Sequence, residues 1–352
     1  MIEPYALYPS VDSINVRWMS ASPSRGCVTL WETASGPGAS QAVTVAEEAP
    51  AQFHNVRVRG LKPFTSYSYR VSPKGREHSF RTAATPDVKS FRFVVFGDPQ
   101  GHGQLRETMA VAAAANADFA IGLGDFVGAA FDEAYIQYFE KSRELLRATA
   151  LCPTPGNHDY RHHCRPFEHD NDMLTYDRHL GNGDGNNYFF DYGKFRFVML
   201  NYPDANTVKP DTASGEWLVG QLRAARRLGK KVLLFHHCPC FTSTTIDWAV
   251  DASLIPPLAE EFRDIMLIDF GAHIHTYEKS FYPDASGVCF ITTGGAGELY
   301  EYPVNQCPNK YQHAAIDACH VCVVEATPST LRVEAVGLGG EILDCSVLEI
   351  ER

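Results

Sequence analysis

The chain has 352 residues, 45% hydrophobic and 21% charged, an ordinary globular balance with enough length for two domains. Its formal charge of −11 speaks against non-specific nucleic-acid binding, which needs a basic face. It leaves an anionic substrate open, because bound cations reverse the local sign.

No apolar run reaches the roughly 18–20 residues of a membrane span. The opening Met1-Ile2-Glu3-Pro4 has no leader character. The expectation is therefore a cytoplasmic protein, or a periplasmic or secreted one if a leader has been removed.

Residues 1–86 are dominated by short β-type runs, among them Ile14–Trp18, Val28–Trp31, Val43–Val45, His54–Val58 and Tyr67–Val71. Ser, Pro and Gly clusters separate them at the spacing of an all-β sandwich. Leu61, Pro63, Thr65 and Tyr67 stand at alternate positions and resemble a fibronectin type III pattern. That resemblance implies a tyrosine corner at Tyr67 and a core Trp at Trp18. No grouping of His, Cys or carboxylates occurs here, so the segment reads as a structural or interaction module. Ala83-Ala84-Thr85-Pro86-Asp87 reads as the linker.

From residue 90 to 352 the period changes. Phe91–Phe96 is a buried-strand run ending at Gly97-Asp98. A helix is expected over 104–116, a strand over Phe119–Leu123 ending at Gly124-Asp125, and a second helix over 132–149. An apolar run leads through Cys152-Pro153-Thr154-Pro155 into Gly156-Asn157-His158-Asp159. Tyr188–Gly193 and Phe195–Leu200 predict a hairpin, and 214–228 a helix. Val232–Phe235 ends at His236-His237, and Ile265–Phe270 leads into His273-Ile274-His275. Strand–helix alternation implies crossover units with ligands gathered outside the carboxyl ends of the strands.

The ten cysteines form no dense framework. Cys319-His320-Val321-Cys322 has the spacing of a zinc pair, but it runs into alternating Val323-Val324-Glu325 and reads as a strand. Cys152 and Cys164 bracket the Asn157 loop, and their pairing is not deducible.

Five strand ends thus deliver two Asp, one Asn and several His. Carboxylate, amide and imidazole together suit Zn, Mn or Fe. The set is too large for one four-coordinate zinc and suits two metals about 3.5–4 Å apart sharing a carboxylate.

These motifs resemble the calcineurin-like metallophosphoesterase superfamily and, within it, the purple acid phosphatases. Gly271-Ala272-His273-Ile274-His275-Thr276-Tyr277-Glu278-Lys279 is similar to the Gly-His-x-His-x-Tyr-Glu-Arg signature of that group. The front domain, the Tyr192-Gly193 hairpin, the Trp217 helix and Gly294-Gly295 add to the likeness. The resemblance implies a four-layer α/β/β/α core (90–352) behind an all-β fibronectin type III-like sandwich (1–86). It implies two metal ions, of Fe, Zn or Mn, and a small phosphorylated substrate. A hydroxide carried by the metals would attack a phosphate monoester in line.

Carried over residue by residue, Asp98 and His275 bind the first metal, and Asn157, His237 and His273 the second. Asp125 bridges them, and His158 is the general acid. His237 stands two residues before Pro239, as the family's His-x-Pro pattern requires, with His236 as the competing choice.

Three departures follow. Gly128 stands where purple enzymes have the Tyr that binds iron and gives the colour. Gln100 stands where the wider superfamily often has a His, so Gln100, His102 or water is left to complete the first metal. Ala272 replaces a Gly, a small change expected to be tolerated. Arg161, His162 and His163 are candidates to hold substrate oxygens, and Tyr277, Glu278 and Lys279 to brace the metal histidines. The alternatives are a phosphodiesterase, cyclic nucleotides included, and a catalytically poor member serving as an adhesion or docking module.

Overall fold

A computed structural model describes residues 1–37, 42–71, 75–101, 103–160, 173–183, 185–246, 249–297 and 303–351. Two sheets face each other in its centre. The phenylalanine-rich strand runs dictate this: Phe93 and Val95 of the strand Phe91–Phe96 point into the inter-sheet core, while Val94 and Phe96 point out to helices. Alternate residues of a strand face opposite ways, so a run apolar at every position is covered on both faces.

The first sheet orders its nine strands as Ile342–Glu349, Thr330–Gly337, His320–Ala326, Phe91–Phe96, Phe119–Gly122, Ala150–Pro153, Ile2–Leu7, Ser13–Ser24 and Ala51–Arg59. The second orders its seven as Tyr188–Tyr192, Phe195–Met199, Lys231–Phe235, Met266–Gly271, Val288–Thr293, Tyr277–Tyr282 and Gln312–Ile316. Rings of Phe93, Phe119, Phe197, Phe235 and Phe270 fill the space between them. Helices Leu105–Ala114, Asp132–Lys141 and Arg143–Leu146 cover the outer face of the first sheet. Helices Ala213–Arg227 and Ile255–Glu261 cover the second. The result is the four-layer α/β/β/α core that the motifs implied.

In each sheet the central strands are parallel: Phe91–Phe96, Phe119–Gly122 and Ala150–Pro153 in one, Phe195–Met199, Lys231–Phe235 and Met266–Gly271 in the other. Their carboxyl ends therefore share one rim, where the site is built.

The front segment packs Trp18, Val28, Leu30, Tyr69 and Phe80 into its own core. Its second face is a four-stranded sheet, Val43–Ala46, Cys27–Glu32, Ser66–Val71 and His78–Arg81. The tyrosine corner is present: the Lys62 backbone N–H donates to the Tyr67 hydroxyl at 2.9 Å.

Two features depart from the sequence reading. The helix expected over 132–149 breaks at Ser142 and ends at Leu146, leaving room for the strand Ala150–Pro153. Strand Ile2–Leu7 pairs parallel with Ala150–Pro153 at Leu7 and Leu151 and antiparallel with Ser13–Ser24. It carries the large sheet from the core into the front segment. Arg147 adds a fork of two 2.7 Å bonds to Glu3, and Arg81 reaches Asp118 at 2.6 Å. Cys319 and Cys322 are free thiols, and the strand His320–Ala326 starts between them. Cys152 is a buried free thiol; Cys164 lies outside the described residues. Among the described residues no helix is long and apolar enough to cross a membrane.

Candidate metal centre

Three of the five strand ends turn sharply where they deliver their side chains. Asp98, Gln100, Asp125 and His273 all hold positive φ, at 56°, 42°, 51° and 64°. Non-glycine residues rarely adopt this region, and it costs on the order of 1–3 kcal/mol per residue unless the surroundings enforce it. Four such residues at one rim mark strain concentrated where the side chains converge.

The convergence is tight. His237 Nε2 lies 3.1 Å from Asn157 Oδ1, 3.1 Å from His273 Nδ1, 3.5 Å from Asp125 Oδ1 and 4.0 Å from Asp98 Oδ1. His275 Nε2 lies 3.4 Å from Asp98 Oδ1. The His237 Nδ1–H donates to the Leu123 carbonyl at 2.7 Å, which aims Nε2 at the cluster. Asp98 Oδ2 accepts the His273 backbone N–H at 2.8 Å, whereas its Oδ1, fully buried, accepts no hydrogen bond. A buried carboxylate oxygen left unpaired among imidazoles and an amide oxygen is what a cation site requires.

Electrostatics agree. Burial disfavours the charged form of Asp125, but the His237 cation and its hydrogen bond, with His158 and His273, outweigh that and hold the carboxyl well below the usual range. For His237, burial pulls down while Asp125 and Asp98 push up, to about 9. For His273, burial and then the His237 charge push down to about 3. Two imidazoles 3.1 Å apart hold one proton between them, and a metal cation would take its place.

Glycine is required at position 156. A Cβ there would lie 2.2 Å from Asp125 Oδ1 and 2.8 Å from His237 Cε1.

A model of the calcineurin-like phosphoesterase family matches residues 91–277, more than half of the chain, with every one of these side chains inside it. The chain belongs to the calcineurin-like phosphoesterase family. The family implies a dinuclear metal centre. The purple acid phosphatase N-terminal domain model matches residues 6–88.

Purple acid phosphatase 21 of Arabidopsis thaliana is 25% identical over 262 residues, covering 70% of this phosphoesterase and 58% of that relative. The match thus spans less than two thirds of the plant protein. In fold, the phosphoesterase is similar to the purple acid phosphatase PPD1 from yellow lupin (Lupinus luteus) seeds, with TM-score 0.79 at 16% identity, covering 98% of this chain and 73% of that one. It is also similar to PhoD, with TM-score 0.73 at 12% identity, covering 98% and 88%.

The structure separates the two adjacent histidines. His236 points away from the centre, and its Nε2 bonds Asp269 Oδ1 at 2.8 Å in a buried trio with Cys240. Successive strand residues face opposite ways, so only one of the pair reaches the rim. Gln100 sits in the same turn as Asp98, its N–H on the Asp125 carbonyl at 2.9 Å. His102, Arg161, His162 and His163 lie outside the described residues.

Tyr277, Glu278 and Lys279 do not brace the histidines directly. Tyr277 and Lys279 both bond Asp344, at 2.7 and 2.6 Å, tying the two sheets together. Glu278 accepts from Thr242 and from the Ser243 backbone. Ala272 is buried, and its N–H bonds the His237 carbonyl at 2.8 Å.

One residue was quoted in the sequence but given no role. Asp159 is buried and accepts the Gly156 N–H at 2.9 Å and the Tyr135 hydroxyl at 2.8 Å, fixing the loop that carries Asn157 and His158. Burial and the nearby Asp125 charge raise its pKa to about 7. A carboxylate two residues past the Asn was the available signal.

Proposed function

We propose that this phosphoesterase hydrolyses phosphate monoesters at a two-metal centre. The observation that carries the reading is the gathering of Asp98, Asp125, Asn157, His237, His273 and His275 from five strand ends around the orphaned Asp98 Oδ1. When bound, two cations of Fe, Zn or Mn supply a water of lowered pKa and offset the charge of the phosphoryl oxygens.

Asp98 and His275 would hold one cation, and Asn157, His237 and His273 the other. Asp125, whose Oδ1 lies 3.5 Å from His237 Nε2, would be shared by both. Its Oδ1 also accepts the His158 backbone N–H at 2.8 Å, which couples the shared carboxylate to the loop behind it. Because Asp159 and Gly156 fix that loop, His158 sits in a set place. Its Nδ1–H donates to the Gly128 carbonyl at 2.9 Å, and its Nε2 faces Asp125 Oδ2 at 3.9 Å. The ring is partly exposed, open to an entering ester. With Nδ1 occupied, a proton on Nε2 has the leaving-group oxygen as its destination. Gly128 thus serves through its carbonyl, and no Tyr is offered to a metal at that position.

Substrate comparison tests the reading. Metal-loaded protein is expected to turn over an aryl phosphate monoester faster than the corresponding diester. His158→Ala should keep its metals and lose about 10²–10⁴-fold on an alkyl monoester, with a much smaller loss on a nitrophenyl ester whose oxygen leaves without a proton. Diester preference would overturn the monoester reading. Absence of turnover with both metals bound would point to a docking module instead.

A further inference from the structure

We propose that the cleft between the front sandwich and the helical layer of the core is a binding site for a small organic anion with an apolar or aromatic body. The cleft holds about 600 Å³, within the range of small-ligand sites. Trp18, Ile136 and Phe139 give it an apolar floor drawn from both halves of the chain.

Its charge is the deciding feature. Arg25, Arg76 and Arg143 line it, and among the described residues none of the three has an ion-pair partner. The two acids on the lining are already engaged: Glu3 by the Arg147 fork at 2.7 Å and Glu140 by Arg106 at 3.3 Å. A protein of net charge −11 therefore presents three uncommitted guanidinium groups around one apolar hollow. Such forks match carboxylate, sulfonate or phosphate oxygens.

A second observation is independent of the arginines. His78 lines the same cleft, is 2% exposed, and neither ring nitrogen has a hydrogen-bond partner. A buried polar ring is rarely left without a partner, and an anion's oxygen would supply one once the lining shifts to open the ring nitrogens, which expose almost no surface as they stand. Burial holds His78 down to about 4, so at neutral pH the ring is uncharged and has one N–H to donate. An inorganic anion would leave the apolar floor wet, and an uncharged body would leave His78 and the arginines unanswered. The ligand must have both parts.

The test is calorimetric titration of the full metal-loaded chain with naphthalene-1-sulfonate, which has the anion and the ring but no phosphoester. Saturable one-to-one binding is expected, with the same affinity in the metal-free chain, because the metal centre takes no part. Naphthalene-1-methanol, the same body without charge, should bind at least about tenfold more weakly, the factor expected when a charge-assisted hydrogen bond is lost. The double variant Arg76→Ala/Arg143→Ala should weaken the sulfonate by a similar factor or more while phosphatase turnover stays unchanged. No saturable binding, equal binding by the double variant, or binding that disappears when the metals are removed would each overturn the proposal.

Discussion

The proton shared by His237 and His273 makes the metal centre measurable before any substrate is added. With His237 raised to about 9 by Asp125 and Asp98 against its burial, the metal-free protein carries that proton at neutral pH. Metal needs the imidazole lone pair, so loading should release it. Titrating metal into metal-free protein at pH about 7 in two buffers of different ionisation enthalpy should show net proton release; at a pH above about 9 the release should vanish. Equal heats in both buffers would show that His237 is not protonated in the metal-free state.

At the scale of elements, the strand–turn units do the positioning. The clearest test is Gly156, whose added Cβ would meet Asp125 and His237 inside 3 Å. Gly156→Ala should lower metal content and activity severely. Gly220, exposed within helix Ala213–Arg227 with open space around its Cβ, is the control. Gly220→Ala should raise the unfolding free energy by about 0.5–1 kcal/mol and leave metal content alone, because glycine is a poor helix former. Chemical denaturation with elemental analysis reads both.

The same units explain what was legible. A strand that is apolar at every position and stops at Gly-Asp or His-His announces both its burial and its end, so Asp98, Asp125 and the His236-His237 pair stood out as candidates, whereas the choice of His237 over His236 came from the family's His-x-Pro pattern. Ile2–Leu7 could not, because it has one short stretch of pairing to the core and a Pro within it. The strands Gln312–Ile316 and Ile342–Glu349 went unread because their half-exposed residues give weak alternation. The bonds of Asp159, Tyr277 and Lys279 join residues far apart in the chain, and periodicity holds no trace of them.

At the scale of the whole molecule, burial holds His78, His179 and His320, among the described residues away from the metal centre, in their neutral form at pH 7. Burial lowers His78, His179 and His320 to about 4 each, against the Asp132 bond at His179 and the Ala318 carbonyl at His320. An unfolded imidazole titrates near ~6.5. Between those values the unfolded chain binds more protons than the folded one, so stability is full above about pH 6.5 and falls as pH drops toward 4. Urea midpoints of metal-free protein at pH 7, 6 and 5 should decline, and His320→Gln should flatten the slope by up to one proton. A slope unchanged in that variant would mean His320 is protonated in the fold.

The account rests most heavily on Asp125, the carboxylate proposed to be shared by both cations, so metal content tests it most directly. Purified protein loaded with Mn or Zn should hold two equivalents. Asp125→Ala should hold few or none, and His236→Ala, whose ring faces Asp269, should still hold two. An Asp125→Ala protein that retains two full equivalents would contradict the shared centre.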